Sequence, residues 1–268
     1  MTRPSGSGTL SLSESKISLN GCDLRLRREG AGAPLLFLHG PQGFADWPEA
    51  LHILAGSYDV LAPDLPGFGE SSCPDSLEDV EDLAYFFLDF LKARGLEQVH
   101  IVGHSLGGWI ALEMAVRSTQ SVASLTLVDA AGLRVIGVPR ADIFICPPEE
   151  LARLLYYGDG WQEFVRYWTS PEFVDLFDGN RRTAAKFCWQ PRLFDPRLER
   201  WLHRIDVPVH IVWGAQDKVI PQAYGEALHR FISGSRLTLL RDCGHMSYVE
   251  QPRAFAAAAS EFIREIAR

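Results

Sequence analysis

Ser105 stands in the run Gly103-His-Ser-Leu-Gly-Gly108, between two stretches of different character. Before it, Gln98-Val-His-Ile-Val102 is apolar and β-branched, and after it Trp109-Ile-Ala-Leu-Glu-Met-Ala-Val116 favours a helix. A strand that turns at once into a helix cramps the residue at the turn, and flanking glycines let the two elements pack that closely. The expected result is a serine hydroxyl pushed outward, with the first N–H groups of the next helix pointing back toward it. Such a hydroxyl is a poor nucleophile until a histidine takes its proton and a carboxylate holds that histidine in the right tautomer.

The elements that would position those partners lie near the C-terminus. Val209-His-Ile-Val-Trp213 reads as a strand and runs into Gly214-Ala-Gln-Asp217, while Arg236-Leu-Thr-Leu-Leu240 alternates toward another strand and is followed by Asp242-Cys-Gly-His245. Asp217 and His245 therefore each fall just past a strand end. Asp129, which closes Leu125-Thr-Leu-Val-Asp129, is a rival for the role of the acid. Further strands are expected near 15–18, 22–27, 35–38, 60–62, 99–102, 124–128, 209–212 and 237–240, most of them short apolar runs suited to burial on both faces. Helical patterns alternate with them. After the acidic start Ser76-Leu-Glu-Asp-Val-Glu-Asp82, apolar side chains recur at Val80, Leu83, Ala84, Phe87, Phe90 and Leu91, with the carboxylates answering the helix dipole. From about 133 to 203 the alternation stops, no convincing strand is found, and a disproportionate share of the large aromatics is gathered.

Leu38-His-Gly40, Asp64-Leu-Pro-Gly-Phe-Gly69, Gly103-His-Ser105-Leu-Gly107, Gly214-Ala-Gln-Asp217 and Gly244-His245 with Glu250-Gln-Pro252 occur in this order. Together they resemble the α/β-hydrolase superfamily over nearly the whole chain from about Ile17. The resemblance implies an α/β fold with a mostly parallel eight-stranded sheet flanked by helices. It divides the chain into a first core part (1–132), an inserted helical cap (133–203) and a second core part (204–268). It also implies a triad of Ser105, His245 and Asp217 without metal or organic cofactor. One oxyanion donor would be the N–H of Leu106. The position that commonly gives the second is Pro41, which has no N–H, so Gln42 is the expected substitute. Pocket-lining residues are expected at Trp109, Phe144, Trp161, Trp168, Trp189 and Met246, and Arg181, Arg182, Lys186 and Arg192 are candidates for a cationic spot, against the plainer role of solvated surface. His39 is expected to hold its loop, His104 to point away from the serine, and Asp64 to tie the Pro66–Gly69 loop. His52, His100, His203, His210 and His229 read as structural or surface residues.

The net charge of −8 over 268 residues suits a soluble protein and argues against nucleic acid as partner or a polybasic membrane anchor. Cys22, Cys73, Cys146, Cys188 and Cys243 are scattered, with no metal-ligand spacing, and read as reduced thiols. Residues 1–8 lack the apolar core of a signal peptide, and no stretch approaches the ~20 apolar residues of a membrane span. A cytoplasmic enzyme is expected, and a homodimer is left open. The leading expectation is hydrolysis of small or medium carboxylic esters through an acyl-enzyme on Ser105, its rate rising with pH through the His245 ionisation near ~6.5.

A C–C bond hydrolase of the meta-cleavage type is the alternative, since Arg241-Asp-Cys-Gly-His245 resembles that group. Those enzymes usually carry a glycine-rich run, an asparagine and a tryptophan where this chain has Pro41-Gln42-Gly43, His104 and Met246. A ligand sensor with slow turnover is a third reading, favoured only by the altered anion hole. A serine at position 105 argues against epoxide hydrolase and haloalkane dehalogenase chemistry, in which relatives use aspartate there.

Overall fold

The computed structural model describes residues 11–44 and 46–267. The N-terminal tail read from residues 1–8 lies outside them. Strands β1 (Ser13–Leu19) and β2 (Cys22–Glu29) form an antiparallel hairpin. Its Asn20-Gly21 corner has φ of 49° and 78°, the two positive values that a tight hairpin turn demands. β3 (Ala33–Leu38), β4 (Tyr58–Pro63), β5 (Val99–His104), β6 (Val122–Val128), β7 (Val209–Gly214) and β8 (Arg236–Leu240) complete an eight-stranded sheet in the order β1-β2-β4-β3-β5-β6-β7-β8. β2 meets β4 antiparallel, and all pairs beyond β4 are parallel. Each expected strand is present, extended by a residue or more at one or both ends. β4, β5 and β7 are buried throughout, which is why they read as unbroken apolar runs rather than alternating ones.

Helices cover both faces. α1 (Glu49–Ala55), α8 (Ser247–Glu250) and α9 (Pro252–Ile266) pack together on one side. α2 (Val80–Ala93), α3 (Leu106–Arg117), α7 (Ala223–Phe231) and a 3₁₀ helix (Leu198–Arg204) pack on the other. α2 starts at Val80, four residues after the acidic run begins, because Asp79 caps it. The Asp79 carboxylate accepts the Asp82 N–H at 2.9 Å, and Asp82 in turn accepts from the Glu78 N–H at 2.8 Å.

Between β6 and β7 lie α4 (Pro148–Leu155), α5 (Trp161–Trp168) and α6 (Val174–Cys188), with one isolated bridge, Gly132 to Phe194, and no strand among the described residues. Their aromatics pack on one another: Phe164 lies 5.6 Å from both Trp168 and Phe177, centroid to centroid. α6 is tied to the core by the buried Asn180. Its amide donates to the Gln42 carbonyl at 2.8 Å and accepts the Gly69 N–H at 2.9 Å, while Thr183 donates to the Gly67 carbonyl at 2.7 Å.

Candidate active site

Ser105 occupies the one-residue joint between β5 and α3 with φ 52° and ψ −111°, a left-handed conformation that a side chain adopts only under constraint. The constraint is visible: the Ser105 N–H donates to the Val128 carbonyl at 2.9 Å, and its own carbonyl accepts from Ala131 at 3.0 Å and Trp109 at 3.1 Å. Gly107 is required by contact, since a Cβ there would stand 2.0 Å from the Leu38 carbonyl oxygen. The turn predicted from residues 103–108 thus forms as the glycine spacing demands.

His245 Nε2 lies 3.0 Å from Ser105 Oγ, and His245 Nδ1 lies 2.7 Å from Asp217 Oδ2. Asp217 Oδ1 accepts the N–H groups of Val219 and Ile220 at 2.8 and 2.9 Å, so the carboxylate is held from both sides. All three side chains are buried, and Ser105 is 3% exposed. Burial pushes the His245 imidazole down, to about 3, and so favours its neutral, proton-accepting form, while burial also drives the Asp217 carboxyl up against two stabilising backbone donors.

Asp129, the rival acid, is fully buried beside them. Its Oδ1 accepts the Gly214 N–H at 2.8 Å, and its Oδ2 is 2.5 Å from Ser247 Oγ. One ligand-type atom each from Asp129, Asp217 and His245 fall within 4.8 Å of one another. His39 holds its loop, with Nε2 accepting the Leu65 N–H at 2.9 Å and Nδ1 2.7 Å from the Gly40 carbonyl. His104 turns its Nε2 to the His245 carbonyl at 2.8 Å, so it braces the backbone of the neighbouring imidazole. Asp64 ties its loop by accepting the Glu70 N–H at 3.1 Å and pairing with Arg27 at 2.9 Å.

Leu106 begins α3, and among the described residues nothing accepts its N–H or that of Gln42. Gly40-Pro41-Gln42-Gly43 is a tight turn closed by the Gly43 N–H on the Gly40 carbonyl at 3.0 Å. Gln42 is held there through its carbonyl by Asn180, and its buried side-chain Oε1 has no donor. Two cavities meet at Gln42. The outer one, about 400 Å³, is walled by Trp47, Tyr156, Phe164, Tyr167, Met246 and Tyr248, with Asp46, Glu49 and Glu163 also on its lining. The inner one, about 20 Å³, is lined by Pro41, Phe144, Trp168 and Arg181 among others.

Met246 lines the outer cavity and Phe144 and Trp168 the inner one, while Trp109, Trp161 and Trp189 line neither. Trp109 lies against Gly132 and donates to Glu113 at 2.9 Å, because its helical position turns it toward the 3₁₀ helix rather than toward Gln42. Trp161 carries the Arg153 guanidinium 3.5 Å above its ring, outside both cavities. Trp189 is 46% exposed between Phe144 and Arg192. Of the expected cations, Arg192 is paired with Asp142, Lys186 reaches Cys73 Sγ at 3.3 Å, and only Arg181 reaches a cavity wall, while bonding the Phe144 and Cys146 carbonyls at 2.7 Å each. Sequence periodicity left Asn180, Ser247 and Leu155 unmarked. The Leu155 carbonyl accepts the N–H groups of His245 and Met246 at 2.8 and 3.3 Å, a backbone contact that no side-chain pattern announces.

The family model described as "Alpha/beta hydrolase family" matches residues 35–258. The chain belongs to the alpha/beta hydrolases. As a member of that family it is a hydrolase, and it resembles relatives of several chemistries. It is 32% identical over 265 residues to the dihydrolipoyllysine-residue acetyltransferase component of the acetoin cleaving system of Cupriavidus necator, a match covering 89% of this chain and 66% of that longer protein. It is 30% identical over 273 residues to the 2-hydroxy-6-oxo-6-(2'-aminophenyl)hexa-2,4-dienoic acid hydrolase of Metapseudomonas resinovorans, covering 92% and 89%. A crystal structure described as a putative lipase from Acinetobacter baumannii superposes with a TM-score of 0.77 at 27% identity, covering 95% of this hydrolase and 92% of that chain. No helix among the described residues of this hydrolase is long and apolar enough to cross a membrane.

Proposed function

We propose that this hydrolase cleaves carboxylic esters through an acyl-enzyme on Ser105. The observation that carries the reading is the continuous hydrogen-bonded line Ser105 Oγ, His245 Nε2, His245 Nδ1, Asp217 Oδ2, at 3.0 and 2.7 Å, ending on a serine held at a strained turn. Ser105 Oγ attacks the ester carbonyl as His245 Nε2 takes its proton, and the tetrahedral oxyanion is met by the N–H groups of Leu106 and Gln42. The intermediate collapses as His245 returns the proton to the leaving alcohol oxygen. Water then repeats the sequence on the acyl-enzyme, releasing the acid and restoring Ser105. No step calls for a metal or an organic cofactor.

Segment 133–203 acts as the cap, with its aromatics facing the outer cavity. That cavity borders Gln42 and Met246 rather than Ser105 itself, and as the approach to the serine its three carboxylates, with no lysine or arginine on the lining, suit an uncharged ester better than an anionic substrate. One observation favours a second reading: Arg181 stands on the wall of the inner cavity, and were that water-sized space to widen and the guanidinium to leave the Phe144 and Cys146 carbonyls, it would suit the carboxylate of a dienoic acid, the compound class in the name of the Metapseudomonas relative. The deciding experiment is steady-state hydrolysis of p-nitrophenyl esters from acetate to decanoate by wild type and Ser105→Ala. Repeated turnover that falls at least about 10⁴-fold in the variant is expected. Negligible turnover in both would reject the esterase reading in favour of a C–C substrate or a sensor.

A further inference from the structure

Asp129 is a buried acid that the reaction just described does not use, and its side chain reaches the loops that carry Asp217 and His245. It follows β6, whose Val128 carbonyl accepts the Ser105 N–H. Its Oδ1 holds Gly214, three residues before Asp217, and its Oδ2 meets Ser247, two residues after His245. Its own N–H donates to the Val212 carbonyl at 3.1 Å, and its φ is 46°, a left-handed value kept by these contacts.

Two fully buried carboxyls this near to each other do not both ionise. Asp217 has three donors, the Val219 and Ile220 N–H groups and His245 Nδ1–H, whereas Asp129 has only the Gly214 N–H and one hydroxyl. The negative charge therefore settles on Asp217 and the proton on Asp129, whose Oδ2–H can donate to Ser247 Oγ while that hydroxyl turns toward the Gly244 carbonyl, 3.5 Å away.

Resting on the serine-hydrolase reading, we propose that Asp129 is a second acid of the site. With Asp217 present it is a protonated positioning residue that clamps the loops of Asp217 and His245. With Asp217 removed it ionises and becomes the carboxylate partner of His245. The separation within 4.8 Å suits one water molecule bridging Asp129 to the imidazole in the space that Asp217 vacates. The charged and titratable groups around Asp129 are Asp217 and His245, with Glu250 and Cys243 from the same His245-bearing segment.

The test uses Asp217→Ala, Asp129→Asn and the double variant on a p-nitrophenyl ester that the wild type turns over. Asp217→Ala is expected to lose about 10²–10³-fold in kcat, short of the ~10⁴-fold typical for a triad whose acid is replaced. The double variant is expected to fall at least tenfold further, to the Ser105→Ala background. Asp129→Asn alone replaces one neutral group by another, so kcat should drop modestly while the rising limb of the pH profile stays in place. A limb moved to lower pH would mean that a negative charge had been lost, and would overturn the protonated assignment. Equal activities of Asp217→Ala and the double variant would overturn the reserve role. A readout independent of turnover is the Nδ1–H proton resonance of His245, expected far downfield in the wild type, moved upfield but still observed in Asp217→Ala, and lost to solvent exchange in the double variant. Its loss in Asp217→Ala would equally refute the proposal. Absence of Ser105-dependent turnover in the wild type would be a failure of the esterase reading, separate from these outcomes.

Discussion

The resting state of His245 is set by its surroundings rather than by its own chemistry. Burial lowers its pKa below the ordinary value near 6.5, so the imidazole stays neutral and ready to accept a proton well into mildly acidic solution. For a base, activity is lost as pH falls through the pKa in the folded enzyme. The rising limb of kcat/KM is therefore expected below pH 6.5, shifted down from the value assigned by residue type alone, and a limb at or above 6.5 would show that burial does not govern this group. The same residue scale shows what a sequence can name. The turn at Ser105 was legible because the constraint that shapes it is local, carried by Gly103, Gly107 and Gly108. Asp217 and Asp129 both close strands and look alike in one dimension, and what separates them is the 2.7 Å contact with His245.

At the scale of elements, β3 to β7 were legible because short apolar runs have few other ways to be buried, whereas β1 and β8 are largely exposed or half-buried edge strands. The helices between β6 and β7 were legible only as an aromatic-rich interval. Aromatic content marks where rings are needed but not which way a helix turns them, hence Trp161 and Trp189 of this interval lie away from the cavities. What fixes that interval on the core is a polar residue, Asn180, bridging the Gln42 and Gly69 loops across more than a hundred positions of chain. Asn180→Ala leaves the buried Gln42 carbonyl without its donor, which costs roughly 1–3 kcal/mol, while the Gly69 N–H lies on an exposed loop that water can reach. It should also release the turn that presents Gln42, so kcat on a short ester is expected to fall more than KM changes. Wild-type kcat in this variant would show that the Gln42 loop holds its shape without α6.

Across the whole molecule, five histidines share one property. His39, His100, His104, His210 and His245 are buried and all have lowered pKa values, about 4 for His39 and His210. Below pH 6.5 the unfolded chain takes up protons on these imidazoles that the folded chain refuses. The folded state therefore loses stability as pH falls, by about 1.36 kcal/mol per pH unit for each such group. The raised carboxyls of Glu113, Asp129, Asp217 and Glu250 act in the opposite direction, but they are four against five imidazoles. The melting temperature is expected to drop steadily from pH 6.5 toward pH 4, and calorimetry giving a constant value over that interval would contradict it.

The carbonyl of Leu155 belongs to the end of α4, yet it is the acceptor that fixes the backbone of His245. Glu250 makes a second link, receiving the Tyr157 N–H at 2.7 Å and the Gly244 N–H at 2.9 Å. Any outward swing of the helical interval that widened the way to Ser105 would strip these anchors from the proton acceptor. The helical interval and the loop of His245 are in this way mechanically joined: through Leu155 and Glu250, a displacement of one is a displacement of the other.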